Sequence, residues 1–249
     1  MGSVTVRQLL DAPVVRTLRK RRYDSLFARP SGIGCYRGVF GTFDEAAASA
    51  PAGVPVGYDT PESATLYRDR CSRVYPSDYP MLFWMRDILP YCREVFDFGG
   101  HVGVTYYAYG SLLRYPADLR WTVSDVPKVI EAGSALARER GAAGLRFTSG
   151  FELASGTNLL IAAGSLQYVE PRLDQLLGGL AALPAHILIN KTPTHETRTF
   201  VTLQNIGVTY CPYLIFQREA IPRSLQALGY ELVDTWQTPD MRCEVPFDA

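Results

Sequence analysis

The sequence predicts an α/β fold built on a mostly parallel, doubly wound sheet. From Arg93 onward, short apolar runs alternate with helical segments, which is the pattern of βαβ units. A glycine-rich turn follows the first of these apolar runs directly. The last third changes character, because two β segments, a helix and a closing pair of short strands follow residue 198. A final hairpin beside a parallel sheet is therefore expected.

Composition limits the possible functions. The chain has 249 residues, enough for one large α/β domain with an appended segment. Acidic and basic residues balance at 25 each, so no overall charge favours a nucleic-acid partner. The five cysteines are scattered without CxxC spacing, which argues against a metal site or a disulfide framework and favours a reducing cytoplasm. The N-terminal residues of this sequence show no apolar h-region and no run approaches about 20 apolar residues, so neither a secretion leader nor a membrane helix is expected.

The first 90 residues read as broken helices. An arginine-rich helix is expected near 14–28. Thr42 and Glu45 fit a capping box for a short second helix. Thr60 is the expected N-cap of another, and a further helix over 78–89 ends at Pro90.

The remaining residues carry the alternating pattern. Strands are expected at 93–98, 119–124, 145–148, 158–163 and 185–190, with helices at 102–114, 126–140 and 170–181. The end of the chain is expected to form two β segments in 199–216, a helix at 218–229, and closing strands at 230–238 and 243–247.

The turn after the first alternating strand is suited to a ligand. Asp97 ends the strand, and Gly99, Gly100 and Gly103 let the backbone approach a polar or anionic group closely. A dinucleotide fingerprint would need glycines at 99, 101 and 104, whereas this chain has His101 and Val104. The spacing therefore disfavours NAD and FAD, and the turn lacks the lysine of a P-loop.

Residues 97–103 resemble the first motif of class I S-adenosylmethionine (SAM) methyltransferases, D-x-G-x-G-x-G, with His101 replacing the middle glycine. The version D-x-G-G-G-x-G of small-molecule O-methyltransferases is the nearest. The run Asp125-Val126-Pro127 resembles the family segment after the second strand, where an acid binds both ribose hydroxyls of SAM. Asp125 alternatively serves only as a helix N-cap.

Further segments extend the resemblance over about 93–248. It implies that Phe151 walls the adenine pocket, with a core position as the alternative, and that Gly164 and Ser165 approach the methionine end of SAM. It also implies a seven-stranded sheet with a reversed last strand, an N-terminal helical cap (1–90) and a SAM-binding domain (91–249). The cofactor would be SAM and the product S-adenosylhomocysteine (SAH).

More narrowly, the chain resembles a little-studied family of methyltransferases often encoded beside cell-surface polysaccharide genes. The runs "YRGVFGTFDEA", "FDFGGHVG", "SLQY" and "VTLQNIG" carry this likeness. It implies methyl transfer to a small or glycan-linked acceptor, at oxygen. The alternative is a degenerate methyltransferase fold that serves as a binding or scaffold subunit in polysaccharide biosynthesis.

The catalytic residues follow the family pattern only in part. Gln167 stands where plant-type O-methyltransferases have a basic histidine, and an amide orients a hydroxyl but accepts no proton. His195 and Glu196 follow the last parallel strand, at the edge where ligands of open α/β sheets bind, so His195 is the general-base candidate. His101 is expected to shape the cofactor loop or touch the SAM carboxylate.

The N-terminal segment is locally basic. Residues 1–38 hold eight basic and two acidic residues. The predicted helix carries five of the basic ones, namely Arg16, Arg19, Lys20, Arg21 and Arg22. They could bind an anionic glycan, a nucleotide-sugar or a membrane surface, but a solvated basic helix face is the favoured interpretation.

Overall fold

The computed structural model describes residues 13–238 and 241–247. The helices are α1 (Pro13–Phe27), α2 (Phe43–Ala48), α3 (Pro61–Thr65), α4 (Tyr79–Ile88), α5 (Val104–Gly110), α6 (Pro127–Glu139), α7 (Leu173–Gly178) and α8 (Ala220–Ala227). The strands are β1 (Tyr36–Phe40), β2 (Glu94–Phe98), β3 (Arg120–Ser124), β4 (Leu145–Thr148), β5 (Leu159–Ala163), β6 (His186–Asn190), β7 (Thr194–His195), β8 (Phe200–Asn205) and β9 (Tyr210–Gln217). Within the described residues, no helix is both long and apolar enough to span a membrane.

The described chain forms two compact units. One combines the residues up to Gly57 with Phe200–Tyr213 and the described residues from Cys243 onward. The other combines Tyr58–Thr199 with the described part of Leu214–Arg242. The functional division at residue 90, between a cap and a SAM-binding domain, stays a prediction.

The second unit contains the predicted parallel sheet. Its strand order is β4-β3-β2-β5-β6, and every neighbouring pair is parallel. β2 and β5 read as nearly continuous apolar runs because the centre of such a sheet is covered on both faces. Phe96, Leu160 and Ile161 are accordingly fully buried. The parallel α/β architecture expected from the sequence is confirmed.

The sheet has five strands in the described residues, not the seven that were predicted. The segment 230–238, expected as a reversed strand, forms no ladder. Side chains hold it instead, since Trp236 Nε1 donates to Asn190 Oδ1 over 3.0 Å and Asp234 Oδ2 accepts from Trp84 Nε1 over 2.8 Å. The expected strand at 243–247 is likewise absent from the described residues, which stop at Phe247.

The first unit contains the two β segments predicted for 199–216. β1 pairs antiparallel with β8, and β8 neighbours β9. Phe27, at the end of α1, packs against Tyr210 of β9 with ring centroids 5.2 Å apart. Neither β8 nor β9 therefore adds a strand to the five-stranded parallel sheet.

Several helices confirm their sequence signals but are shorter than predicted. Thr42 Oγ1 accepts from the Glu45 amide over 3.1 Å, as an N-cap should. The Glu45 carboxylate accepts from the Gly41 amide, one residue before the position that a capping box requires. Thr60 likewise caps α3, but this helix ends at Thr65.

Candidate functional site

The turn after β2 can be built only with glycine at two positions. Gly99 has φ +70°, and a Cβ there would lie 2.2 Å from Ser165 Cβ at the end of β5. A Cβ at Gly100 would lie 2.5 Å from Asp97 Cγ. The first position needs both a left-handed backbone and an empty space, and the second needs the space alone. Gly103, also left-handed, directly precedes α5.

His101 occupies the centre of this turn with φ +55°, unusual for a residue with a side chain. Its ring is buried, and Nε2 lies 3.0 Å from the Ser63 carbonyl oxygen, so Nε2 carries the proton. Burial lowers the pKa of His101 to about 4. The imidazole is therefore neutral at pH 7.

Asp125 stands one residue beyond β3 and faces the glycine turn. Its Oδ2 accepts from the His101 amide over 2.9 Å, and its Oδ1 accepts from the Val126 amide over 2.8 Å. Each carboxylate oxygen keeps a second lone pair. Burial raises the pKa of Asp125 to about 6, with the Val126 and His101 amides opposing that rise. The group is half-buried and mostly ionised at neutral pH.

Asp97 lies beneath the turn, with no exposed surface. Trp121 Nε1 donates to its Oδ2 over 3.1 Å, whereas Oδ1 has no hydrogen-bond partner among the described residues. Burial raises the pKa of Asp97 to about 7, the Trp121 bond opposes the rise, and the charge of Asp125 adds to it. A buried carboxylate in this state favours a cation nearby.

Phe151 begins a short 3-10 turn after β4. Its ring meets Phe98 edge-on with centroids 5.1 Å apart, and Phe96 at 5.5 Å. The side chain is half-buried, so it packs on β2 and keeps an exposed part. Both interpretations of Phe151, as core residue and as pocket wall, are compatible with this position.

The end of β5 meets the glycine turn. Ser165 Oγ donates to the Phe98 carbonyl over 2.5 Å. Gln167 Nε2 donates to the Gly164 carbonyl over 2.9 Å, which fixes the orientation of the amide. Its Oε1 is buried without a partner in the described chain. Gln167 was expected to orient the hydroxyl of the methyl acceptor. In the structure this residue has a buried oxygen that can still accept a hydrogen bond.

Tyr58 was not singled out from the sequence. Its ring contacts His101 and Tyr168 with centroids 6.0 and 5.9 Å away. Burial raises the pKa of its phenol, and Tyr67, Tyr168 and Asp125 raise it further. Tyr58 therefore lies beside both the glycine turn and the exit of β5. A tyrosine in an irregular loop gave no local signal of this.

Asp78 and Lys191 were also missed. They form an ion pair with Nζ 2.6 Å from Oδ1, and Lys191 directly follows β6. The pairing joins residues 113 positions apart, so no spacing rule could find it. The left-handed backbone of Lys191, at φ +56°, is a second feature that the sequence hides.

His195 and Glu196 follow β6 along the chain. His195 belongs to β7, and Glu196 comes directly after it. β7 pairs with the end of β9, where His195 faces Gln217. Glu196 forms an ion pair with Arg218, and His195 Nδ1 accepts from the Thr197 amide over 3.2 Å. None of these contacts reaches the glycine turn, and the general-base role of His195 stays a prediction.

A cleft of about 680 Å³ in the second unit runs along the outer edge of β6. Trp84, Ile221 and Leu232 are among the apolar side chains that line it, and Asn190 and Lys191 belong to the lining as well. Its lining includes neither Asp97 nor Asp125. The two carboxyl groups at the glycine turn therefore lie outside this cleft. Residues 13–238 and 241–247 hold no cluster of side chains suited to a metal ion.

No protein-family model matches the chain, and no curated protein matches it. Among solved structures, it is similar to the N-terminal domain of EvdMO1, crystallised in the presence of SAH and D-fucose. That match has 13% identity and a TM-score of 0.44, over 62% of this chain and 73% of that one. It is similar to OxaC in complex with SAH and oxaline, with 18% identity and a TM-score of 0.47 over 64% of this chain.

The OxaC match spans 43% of that protein, less than half of its length. A third similarity is to the PH0226 protein from Pyrococcus horikoshii OT3. It has 14% identity and a TM-score of 0.45, over 75% of this chain and 90% of that one.

Proposed function

We propose that this protein is a SAM-dependent methyltransferase that transfers a methyl group to an oxygen of a small or glycan-linked acceptor. The observation that carries the proposal is the hydrogen bond from the His101 amide to Asp125, which joins the glycine turn after β2 to the acid after β3. In a parallel sheet these two strand ends are neighbours, at the edge where α/β proteins bind ligands. Cell-surface polysaccharide synthesis in the cytoplasm is the setting that the family resemblance suggests.

The residues present fit SAM. Each Asp125 oxygen has one lone pair left, enough for the two hydroxyls of a ribose. Asp97 and Asp125 place two carboxyl groups near a ligand that carries a sulfonium cation. We assign Phe151 and Val126 to the adenine side, Gly99, Gly100 and Gly103 to the close backbone approach, and Gly164 and Ser165 to the methionine side. His101 holds the turn through its amide and its buried ring.

When bound, SAM supplies a methyl group on a positively charged sulfur that an oxygen nucleophile can attack in line. The protein then has to position the acceptor and exclude water. Gln167 Oε1 accepts a hydrogen bond from the acceptor hydroxyl and so orients the nucleophile. The amide oxygen does not remove the proton. We assign the removal of that proton to His195, with Glu196 beside it, once His195 Nδ1 has exchanged its hydrogen bond from the Thr197 amide for the acceptor hydroxyl.

Isothermal titration with SAM and SAH tests the proposal. We expect saturable micromolar binding, about −8 kcal/mol. Asp125→Ala removes the ribose acceptor and should abolish binding. Asp118→Ala, which removes a carboxylate from an exposed ion pair with Arg93, should bind as the parent does. Equal binding by both variants would contradict the ribose assignment.

The alternative is a binding or scaffold protein with a methyltransferase fold. Gln167 favours it, because this position offers no group that accepts a proton. A folded sample that gives no heat with SAM or SAH would support this alternative. Binding of SAH together with methyl transfer to any acceptor would exclude it.

A further inference from the structure

Lys191 stands in a turn that its neighbours hold in a left-handed conformation. Its amide donates to Asn190 Oδ1 over 3.0 Å, and Trp236 Nε1 donates to the same oxygen. Asn190 is buried, and its Nδ2 donates to the Ser77 carbonyl over 2.8 Å. A lysine with φ +56° is strained, and such strain persists where the surroundings fix it, often at a functional site.

Asp78 fixes the ammonium group of Lys191. One carboxylate oxygen accepts from Lys191 Nζ over 2.6 Å and from the Tyr109 hydroxyl over 3.1 Å, and the other accepts from the Tyr75 amide. Asp78 is buried, whereas the Lys191 side chain keeps 20% of its surface exposed. The other two ammonium N–H bonds have no partner in the part of the chain that the structure describes. A positioned cation with two remaining donors results.

Gln167 lies beside the aliphatic stem of Lys191. A Cβ at Gly164 would be 3.5 Å from Lys191 Cβ and 3.8 Å from Gln167 Nε2, so the two side chains flank the same glycine. Since Nε2 is bound to the Gly164 carbonyl, the unpartnered Oε1 of Gln167 needs a hydrogen-bond donor. The pair therefore offers donors on one side and an acceptor on the other.

The strand order locates this pair relative to the cofactor residues. Asp125 follows β3, the glycine turn follows β2, Gln167 follows β5 and Lys191 follows β6. With strands about 4.8 Å apart, Lys191 stands about 10 Å from the end of β2, on the side away from Asp125. A ligand whose ribose lies at Asp125 directs its other end towards this pair.

We infer that Lys191 and Gln167 line the acceptor subsite and that the acceptor is a hydroxylated acid. This inference rests on the proposed function and names its substrate class. A carboxylate binds the two ammonium donors of Lys191 through charge-assisted hydrogen bonds. A neighbouring hydroxyl donates to Gln167 Oε1. A neutral alcohol lacks the first interaction and binds more weakly.

The test uses two acids with matched neutral partners. D-glucuronate is compared with D-glucose, and salicylate with salicyl alcohol, by saturation-transfer NMR on the whole protein with and without saturating SAH. We expect at least one acid to bind at least tenfold tighter than its neutral partner. Lys191→Met should remove that difference, and Lys191→Arg should keep part of it. Acids that bind no tighter than their neutral partners, or an unchanged difference in Lys191→Met, overturn the inference.

Two controls separate folding and cofactor effects from acceptor binding. Lys191→Met alone leaves the buried Asp78 carboxylate unpaired, which could disturb the fold. The double variant Lys191→Met with Asp78→Asn removes both charges, so the fold should be restored while acid binding stays lost. Arg93→Met removes an exposed cation and should leave acid binding unchanged. If SAH fails to bind while the acids still bind through Lys191, the methyltransferase proposal fails and the acid subsite stands.

Discussion

The His101 amide donates a hydrogen bond to Asp125 Oδ2 across 2.9 Å. This bond ties the conformation of the glycine turn to the carboxylate after the next strand. His101 is held on its other side by the Ser63 carbonyl, so the turn has support from both directions. The turn and the acid therefore act as one preorganised unit, and a ligand that binds there meets little reorganisation.

The affinity for SAM should depend on pH through Asp125. Its pKa of about 6 means that the carboxylate is ionised above pH 7 and mostly protonated below pH 5. A protonated acid loses one acceptor for the ribose hydroxyls, so affinity should fall by up to about tenfold per pH unit below 6. Isothermal titration between pH 5 and 8 measures this slope. Asp125→Asn should bind weakly at every pH and keep only the shallower slope that Asp97 contributes. A slope as steep as the parent's in this variant would contradict the assignment.

SAM binding should release protons at pH 7. Asp97, whose pKa is about 7, is close to half protonated there, and a nearby cation favours the ionised form. Up to about 0.5 proton should leave on binding. Titrations in buffers with different ionisation enthalpies measure the release. Asp97→Asn should bind without it, and an unchanged release in this variant would assign the proton elsewhere.

The free energy of unfolding should fall as the pH rises from about 4 to 7. Asp97 and Asp125 both have pKa values raised above 3.8, so each binds more protons in the folded than in the unfolded state in this window. The pKa of His101, lowered from 6.5 to about 4, acts in the opposite direction but is outweighed, because two groups act against one. Each group contributes at most about 1.4 kcal/mol per pH unit. Urea unfolding at several pH values tests this, with Asp97→Asn expected to have the flatter profile. A free energy of unfolding that rises from pH 4 to 7, with the same slope in the parent and in Asp97→Asn, would contradict this prediction.

Gly99→Ala should cost more than Gly141→Ala, although both residues are left-handed, at φ +70° and +63°. Each alanine pays about 1–2 kcal/mol for the backbone conformation. A Cβ at Gly141 meets open space, whereas one at Gly99 would lie 2.2 Å from Ser165 Cβ. We expect only Gly99→Ala to lose SAM binding, as measured by urea unfolding and titration. Equal effects of the two variants would show that the contact with Ser165 is unimportant.

Trp121→Phe should destabilise the fold and leave Asp97 without its one indole donor. Losing a hydrogen bond to a buried acid costs about 1–3 kcal/mol, and the smaller ring leaves a cavity in addition. Trp84→Phe removes a similar bond to Asp234 at an exposed site and should cost less. Urea unfolding compares the two, and a larger loss for Trp84→Phe would contradict the burial argument.

The parallel sheet and the glycine turn could be predicted from the sequence because their signals are local. Apolar runs of strand length mark β2 through β6, and the run from Asp97 to Gly103 marks the turn. Asp125 could be found because it follows a strand by one residue. The prediction of a closing strand at 230–238 was wrong. Hydrogen bonds from the Trp236 and Trp84 side chains hold that segment, and the alternation of apolar and polar residues does not reveal them.

The Asp78–Lys191 pair and the position of Tyr58 could not be predicted in the same way. Asp78 and Lys191 come together only after folding, from positions 113 residues apart. Tyr58 reaches His101 from a loop without regular structure. Sequence spacing describes neighbours along one helix or strand, whereas these contacts depend on how separate elements pack.

The position of β2 between β3 and β5 has a consequence for the order in which the glycine turn is completed. The backbone amide of Arg93, just before β2, donates a hydrogen bond to Asn158 Oδ1. Asn158 directly precedes β5 and is 65 residues away in the sequence. Pairings between such distant segments form slowly, because the intervening chain must first be ordered. The glycine turn reaches its final shape only when Ser165 arrives with β5. During synthesis, a nascent chain that ends before β5 has every residue of the turn and still lacks the surface that closes it.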